Sequence, residues 1–158
     1  MTDADLPPLP DGMRYLSPHL VCDGAADAID WYVDVLGARE LMRLPGPDGR
    51  IMHAAIELNG SSVLLVDESR EHGMLGPKSA GTASGWLHLV VPDADALAAK
   101  AVAAGATELQ PVAEMFWGDR YGMVEDPWGH RWALATPQGA TLTSDELTRA
   151  AARHVDAS

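Results

Sequence analysis

Two histidines occupy matching places in two similar stretches of the chain. His19 stands in "PHLVCDGAADAIDW" and His88 in "LHLVVPDADALAAK", and each begins a His-Leu-Val run that leads into an acidic turn and an alanine-rich segment. Imidazole binds transition metals, forms hydrogen bonds and changes charge near neutral pH. Three roles stay open for this pair: lining a ligand pocket, holding a metal with Glu57 as third ligand, or a purely structural role.

A histidine and a carboxylate also share one face of a predicted strand. The run "IMHAAIEL" contains His53 and Glu57, whose side chains project to the same side because residues alternate along a strand. An imidazole near a carboxylate can form a general acid–base pair, so these two are the candidate catalytic residues. The alternative is that both are solvated charges at a strand edge. Asp67, close to the end of another strand, is expected to be exposed.

Three of the five tryptophans lie in "EMFWGDRYGMVEDPWGHRWAL". Strand alternation predicts Trp132 in the core, and the turn "DPWG" predicts that Trp128 packs against its own hairpin. Trp117 precedes Gly118, and glycine inside a strand marks a bulge or a close approach of the backbone. With Phe116, Trp117 is predicted to form a cleft wall that stacks on a flat or cationic ligand.

The ligand-binding candidates combine these aromatic and charged residues. Trp86 supplies a second aromatic wall, and Asp119 is expected to pair with Arg120 across the bulge. The full set of predicted ligand-binding residues is His19, Glu57, Trp86, His88, Trp117, Arg120 and Arg131.

Two βαβββ modules are predicted to position these side chains, at residues 15–67 and 86–136. Asp23 and Asp93 are the expected N-caps of the two helices, and glycines end them. Asn59-Gly60 predicts a type I′ hairpin turn, and "DPWG" predicts the matching turn of the second module. The polar, glycine-rich link between the modules is expected to be mobile. One face of each sheet is apolar and should pack under a helix, and Leu16 and Met52 are assigned to that face.

Composition narrows the classes of function. The net charge of −12 disfavours binding to phosphate backbones and anionic membranes, so we expect no nucleic-acid or membrane partner. The single Cys22 fits a reducing compartment, and no apolar run approaches the roughly 20 residues of a membrane span. The acidic, proline-rich start does not resemble a secretory signal, so a cytoplasmic location is predicted.

The repeated modules, the helix "AIDWYVDVLGARE" and the ending "GMVEDPWGHRWALATP" resemble the vicinal oxygen chelate superfamily, which includes glyoxalase I, bleomycin-resistance proteins and extradiol dioxygenases. The segment "FWGDRYGMVEDPWGHRWAL" is most similar to the PhnB-like branch of this superfamily. The resemblance implies an α+β fold with two βαβββ modules that form a curved mixed-sheet cleft. It implies one domain at 14–137, with a flexible segment at 1–13 and a C-terminal helix at 143–154.

The resemblance also implies where a metal would be held. Members that bind a metal place His and Glu ligands on the first and last strands of both modules, and the corresponding residues here are Ser17, Leu65, Trp86 and Ala133. None of these suits a divalent ion, so we expect no metal or other cofactor at the usual site. The alternative is a divalent metal displaced toward His19 and His88.

Two functions of different classes follow. The first is a binding protein that sequesters a small aromatic or cationic molecule, as bleomycin-resistance proteins do, which would make it an antibiotic-resistance protein. The second is a lyase, isomerase or transferase of the same superfamily, metal-free or with the displaced metal. The resemblance also implies a homodimer, because small members of this superfamily commonly build or complete their clefts across a two-fold interface.

Overall fold

A computed structural model describes residues 6–139 and 142–156, and the chain divides into two compact units, 1–81 and 82–158. The first unit contains β1 (His19–Cys22), α1 (Ala25–Leu36), β2 (Arg39–Pro45), β3 (Ile51–Leu58), β4 (Ser61–Asp67) and the short helix α2 (Pro77–Ala80). The second contains β5 (Trp86–Val90), α3 (Ala94–Ala103), β6 (Thr107–Glu114), β7 (Asp119–Glu125), β8 (Arg131–Pro137) and α4 (Ser144–Asp156).

Each unit builds a four-stranded mixed sheet of the same topology. The strand orders are β1-β4-β3-β2 and β5-β8-β7-β6, and in each sheet the first strand runs parallel to its neighbour while the other pairs are antiparallel. Helices α1 and α3 pack on one face of their own sheets. The predicted α+β class with two βαβββ modules is confirmed.

The start of α1 differs from the prediction. Its N-cap is Gly24 rather than Asp23, and its backbone φ is 92°. The first free N–H groups of the helix are bound by Asp67, whose Oδ1 accepts hydrogen bonds from Gly24 and Ala25 at 2.9 Å each. Asp67 Oδ2 accepts a third bond from Ile51 at 2.6 Å. The expectation that Asp67 is exposed is wrong, because a carboxylate at the end of β4 reaches the positive end of α1 and is buried there.

Helix α3 uses its predicted cap. The side chain of Asp93 accepts a hydrogen bond from the Ala96 N–H at 2.9 Å, so that expectation is confirmed. The position of Asp67 is taken in this unit by Thr136, whose hydroxyl accepts from Ala94 and donates to the Val91 carbonyl. A hydroxyl therefore joins β8 to α3 where a carboxylate joins β4 to α1.

Strand ends account for the errors in burial. β1 begins at His19 instead of residue 15, so Leu16 lies before the strand and is 90% exposed rather than part of the core. Met52, near the start of β3, is 60% exposed, because it stands beyond the reach of α1. Leu16 therefore precedes β1, and Met52 lies at the second position of β3, so both stand at the margin of the first sheet.

The two predicted turns are confirmed. Asn59 and Gly60 have φ values of 45° and 81°, as a type I′ turn requires. In the second turn, Asp126 Oδ1 accepts from the N–H groups of Trp128 and His130, and its Oδ2 accepts from Trp132 Nε1 at 2.9 Å. Asp126 therefore ties the turn to the buried indole of Trp132, which is in the core as predicted.

The link after β4 is more structured than predicted. Glu68 is buried and accepts hydrogen bonds from the Gly76 N–H at 2.8 Å and from Ser79 Oγ at 2.9 Å. Gly76 has no room for a side chain, since an added Cβ would lie 2.6 Å from the Val21 carbonyl oxygen. A buried carboxylate and a close backbone contact therefore hold the first part of the link against β1.

The chain ends also form defined structure where it is described. Residues 6–13 contact the first unit, with an ion pair between Asp11 and Arg39, while residues 1–5 of the predicted flexible segment lie outside the described residues. Helix α4 begins with a capping box in which Glu146 accepts hydrogen bonds from Thr143. In the described part of the chain, no helix has the length and apolar character needed to cross a membrane.

Candidate functional site

The strand registers match the candidate residues of one unit with those of the other. His19 pairs with Leu64 in the first sheet, and His88 pairs with Ala133 in the second. The same counting places four further pairs at equivalent positions: Ser17 with Trp86, His53 with Tyr121, Glu57 with Glu125, and Ser62 with Arg131. These residues share the parity of His19 and His88. We call this side of each sheet its histidine face, and the side under α1 or α3 its helix face.

The histidine face of the second sheet carries a continuous row of aromatic rings. His88 stacks on Tyr121 with centroids 6.0 Å apart, and Tyr121 meets Trp117 edge-on at 5.6 Å. Trp117 contacts Phe116 at 4.9 Å, and Phe116 stacks on His154 of α4 at 5.3 Å. We call these residues the aromatic row. Such a row offers ring faces and edges on which a flat molecule can stack.

Small residues of β8 lie beneath the start of this row. His88 on β5 and Tyr121 on β7 stand on either side of β8, so their strands are about 9–10 Å apart. The residues of β8 beside them are Ala133 and Ala135, which are fully buried. The two rings therefore stack above methyl side chains of the middle strand.

Trp117 reaches the row from a turn, which corrects its predicted position. β7 begins at Asp119, so Trp117 and Gly118 lie in the hairpin turn between β6 and β7 rather than in a bulged strand. Gly118 has a φ of 97°, which explains the glycine by turn geometry. The Trp117 indole N–H donates to Asp119 Oδ2 at 3.1 Å, so Asp119 orients this ring and does not pair with Arg120.

Two more of the predicted residues stand beside the aromatic row. Trp86 on β5 and Arg131 on β8 are neighbours in the parallel register, and Trp86 is 62% exposed. Arg131 Nε donates to Glu125 Oε2 at 3.3 Å, across from it on β7. An exposed indole, a guanidinium and a carboxylate therefore lie together at the start of β5.

Arg120 lies elsewhere. It pairs with Thr136, whose hydroxyl contacts α3, and so has the parity of the helix face. Its guanidinium forms two hydrogen bonds of 2.6 Å to the Asp95 carboxylate of α3, and this contact lowers the pKa of Asp95. Arg120 therefore joins α3 to β7 and does not share a face with His88, so we leave it out of the candidate site.

The histidine face of the first sheet has a different character. His19 and His53 meet edge-on with centroids 5.8 Å apart. Burial and the nearby His53 lower the pKa of His19, while a hydrogen bond with the Leu65 backbone opposes that change. Glu57 Oε2 accepts hydrogen bonds from Arg39 at 2.6 and 3.0 Å. The predicted acid–base pair is thus divided: Glu57 is bound to Arg39, and His53 packs on His19.

The residues at the usual metal positions do not fit a divalent ion. Leu65 pairs with Leu20 on the helix face, so it does not correspond to Ala133, and the register gives Leu64 that place. Leucine, alanine and tryptophan side chains offer no ligand, and Ser17 is hydrogen-bonded to Ser62. Among the described residues there is no group of three or more His, Cys, Asp or Glu side chains that could hold a metal.

One residue of the row was missed by the sequence reasoning. Tyr121 connects His88 to Trp117, yet only the register of β7 against β8 reveals that it shares their face. The available signal was its position two residues before Met123 on the strand that ends at "EDPWGH". His154 was likewise assigned only to a helix, and its stacking on Phe116 depends on how α4 lies.

Comparison with known proteins extends these observations. The family model described as Glyoxalase/Bleomycin resistance protein/Dioxygenase superfamily matches residues 14–134. An uncharacterized protein of Mycobacterium tuberculosis (strain ATCC 25618 / H37Rv) is 48% identical over 127 residues, which cover 77% of this chain and 74% of that protein.

Two solved structures are similar in fold and have related sequences. TioX from Micromonospora sp. ML1 is 29% identical with a TM-score of 0.60, covering 78% of this chain and 98% of its own. TnmS3, an antibiotic binding protein from Streptomyces sp. CB03234, is 25% identical with a TM-score of 0.57, covering 79% and 98%.

Proposed function

The chain belongs to the Glyoxalase/Bleomycin resistance protein/Dioxygenase superfamily, and from that premise we propose that it binds a small aromatic or cationic molecule without the usual metal. The observation that carries the proposal is the aromatic row from His88 through Tyr121 and Trp117 to Phe116. We also keep the PhnB-like branch, the homodimer and the cytoplasmic location as parts of this proposal.

Stacking gives the row its proposed use. Aromatic pairs contribute about 0.5–1.5 kcal/mol beyond the area that they bury, and a cation over a ring contributes a similar amount. Phe116 is 39% exposed and Trp86 is 62% exposed, so ring surface is available to a ligand. The antibiotic-binding neighbour supports a sequestering role, and an antibiotic is the ligand class that we propose from it.

An enzyme of the same superfamily is the second candidate. The contact between His19 and His53 favours it, because an imidazole with a lowered pKa is neutral and can accept a proton or bind a metal. In this alternative a divalent metal would be displaced toward His19 and His88. That these two histidines line a common cavity stays a prediction.

Binding and metal analysis together test the proposal. In protein purified without a polyhistidine tag, titration with planar aromatic compounds, whether neutral, cationic or anionic, should quench the tryptophan fluorescence, and treatment with EDTA should leave the melting temperature unchanged. No quenching by any member of the panel would contradict the binding function. Stoichiometric Zn, Ni, Mn or Fe, with a fall in melting temperature on chelation, would favour the enzyme instead.

A further inference from the structure

Arg131 is held in a way that leaves its charge available on the histidine face of the second sheet. Within the described residues, its side chain forms one hydrogen bond, which Nε donates to Glu125 Oε2 at 3.3 Å. The side chain is 38% exposed, and both terminal amino groups lie outside that contact. A guanidinium fixed through Nε can still bind a carboxylate or phenolate through its two terminal nitrogens.

The neighbours of Arg131 indicate what kind of ligand its charge could bind. Trp86 is its register partner on β5, and the exposed indole provides a flat apolar surface beside the guanidinium. Ala133 and Ala135 are the next two residues of β8 on this face. The stacked rings of His88 and Tyr121 lie beside them. The face therefore presents the Arg131–Glu125 pair beside Trp86 at one end and the stacked rings beyond it.

The equivalent positions of the first sheet show that this is particular to the second. Arg131 corresponds to Ser62 and Trp86 corresponds to Ser17, and those two serines are hydrogen-bonded to each other. Glu57 corresponds to Glu125 but is bound by Arg39 through two nitrogens, Nε and Nη2. At these equivalent positions the first unit therefore has two hydroxyls, and the second unit has an indole and a guanidinium.

We infer that the ligand is an aromatic acid, a planar ring system whose carboxylate or phenolate binds the terminal nitrogens of Arg131 while its ring stacks on Trp86 and the aromatic row. This inference rests on the proposed binding function and narrows its ligand class. The overall charge of −12 does not oppose it strongly, because charges beyond about 8 Å are largely screened at physiological salt. Glu125 remains close, so its contact with Nε orients the guanidinium for an anion at the other end.

Three probes of equal ring size test the inference: naphthalene-1-carboxylate, naphthalene-1-carboxamide and 1-naphthylmethylammonium. In calorimetric titrations of the full chain, the carboxylate should bind about tenfold more tightly than the amide, the lower end of what a hydrogen bond to a charged group supplies. Raising the salt concentration should weaken carboxylate binding and leave amide binding unchanged.

Variants separate the charge from the ring surface. Arg131→Gln should remove the preference for the carboxylate and keep amide binding, whereas Trp86→Ala should weaken both probes by the same factor. Arg120→Gln is the matched control, because it removes a guanidinium from the helix face of the same sheet. It should leave the preference intact, and circular dichroism and melting curves verify that each variant is folded.

The outcomes distinguish two failures. If none of the three probes binds, the proposed binding function itself is contradicted. If the ammonium or the amide binds at least as tightly as the carboxylate, or if Arg131→Gln leaves the preference unchanged, the aromatic-acid inference is overturned while the binding function stands.

Discussion

The two units of the chain have the same five elements in the same order, but the histidine faces of their sheets differ. In the first sheet, His19 and His53 meet edge-on, with Leu64 beside His19 on the middle strand. In the second, His88 and Tyr121 stack with Ala133 in the corresponding place. Two rings meet across the middle strand in both sheets, but they are edge-on beside the leucine and stacked beside the alanine.

The hairpin between the second and third strands of each unit adds to the difference between the two histidine faces. Between β2 and β3 the tip consists of glycine, proline and charged residues, whereas the tip between β6 and β7 contains Phe116 and Trp117. Only the second tip therefore extends its ring pair into a row. A repeated module can keep its backbone and still carry different side chains on its histidine face, because those side chains do not determine the packing under the helix.

The largest expected effect comes from comparing the core residue Trp132 with Trp117 of the aromatic row. Trp132→Ala should lower the free energy of unfolding by about 3–5 kcal/mol, because it leaves a cavity and removes the indole N–H that donates to Asp126 Oδ2. Trp117→Ala should instead weaken ligand binding by about 1–3 kcal/mol and alter stability little. Urea unfolding and calorimetry measure the two quantities. Effects exchanged between the two tryptophans would mean that the faces are assigned the wrong way round.

The caps of α1 and α3 provide the next comparison. Asp67→Ala should cost about 3 kcal/mol of stability, because three backbone N–H groups of the first unit lose their acceptor. Thr136→Val at the equivalent position should cost about 1 kcal/mol, because one N–H and one carbonyl lose a hydroxyl. Thermal and urea unfolding report both. Equal losses would show that the carboxylate has no advantage over the hydroxyl at a helix start.

A smaller change tests the role of the middle strand. Ala135→Val adds two methyl groups beneath the stacked rings at a fully buried position, so it should cost about 1 kcal/mol of stability and turn His88 and Tyr121 from stacking toward the edge-on contact that the first sheet has above Val66. Binding of a naphthalene probe should weaken with it. Val66→Ala, at the equivalent position of the first sheet, is the control and should leave probe binding unchanged. Unchanged affinity in Ala135→Val would contradict the importance of the ring stack.

The smallest expected effect concerns protonation of His19. Because its pKa in the folded protein lies below the ordinary value of about 6.5, the unfolded chain binds more protons between those two pH values. Stability should therefore rise with pH through that window, be complete above about 6.5, and be lost as the pH falls through it. His19→Gln should remove this part of the pH dependence.

An NMR titration measures the same quantity directly. Burial is the larger cause of the lowered pKa, and the charge of His53 adds to it. His53→Gln should therefore raise the pKa of His19 part of the way toward its ordinary value. A pKa for His19 at or above 6.5 in the unmodified protein would refute this account.

The sequence predicted the modules, the turns and the core tryptophan because these depend on local signals. Alternation, glycines with positive φ and the turn "DPWG" act within a few residues of one another, so Asn59, Gly60 and Trp132 were assigned correctly. Asp67 was assigned wrongly because its partners, Gly24 and Ala25, are more than 40 residues away. The expected pairing of Arg120 with Asp119 was wrong for the same kind of reason, since its partner Asp95 comes from another element.

The sequence by itself therefore determined which elements form and which family they belong to, since spacing and residue type carry that information along the chain. Only the tertiary structure decided which side chains share a face. A shift of one residue in strand register moves every side chain to the other side of a sheet. The register of β7 against β8 put Tyr121 beside His88 and Arg120 against α3. Those contacts decide which rings and charges share a surface, and no pattern within either strand alone specifies them.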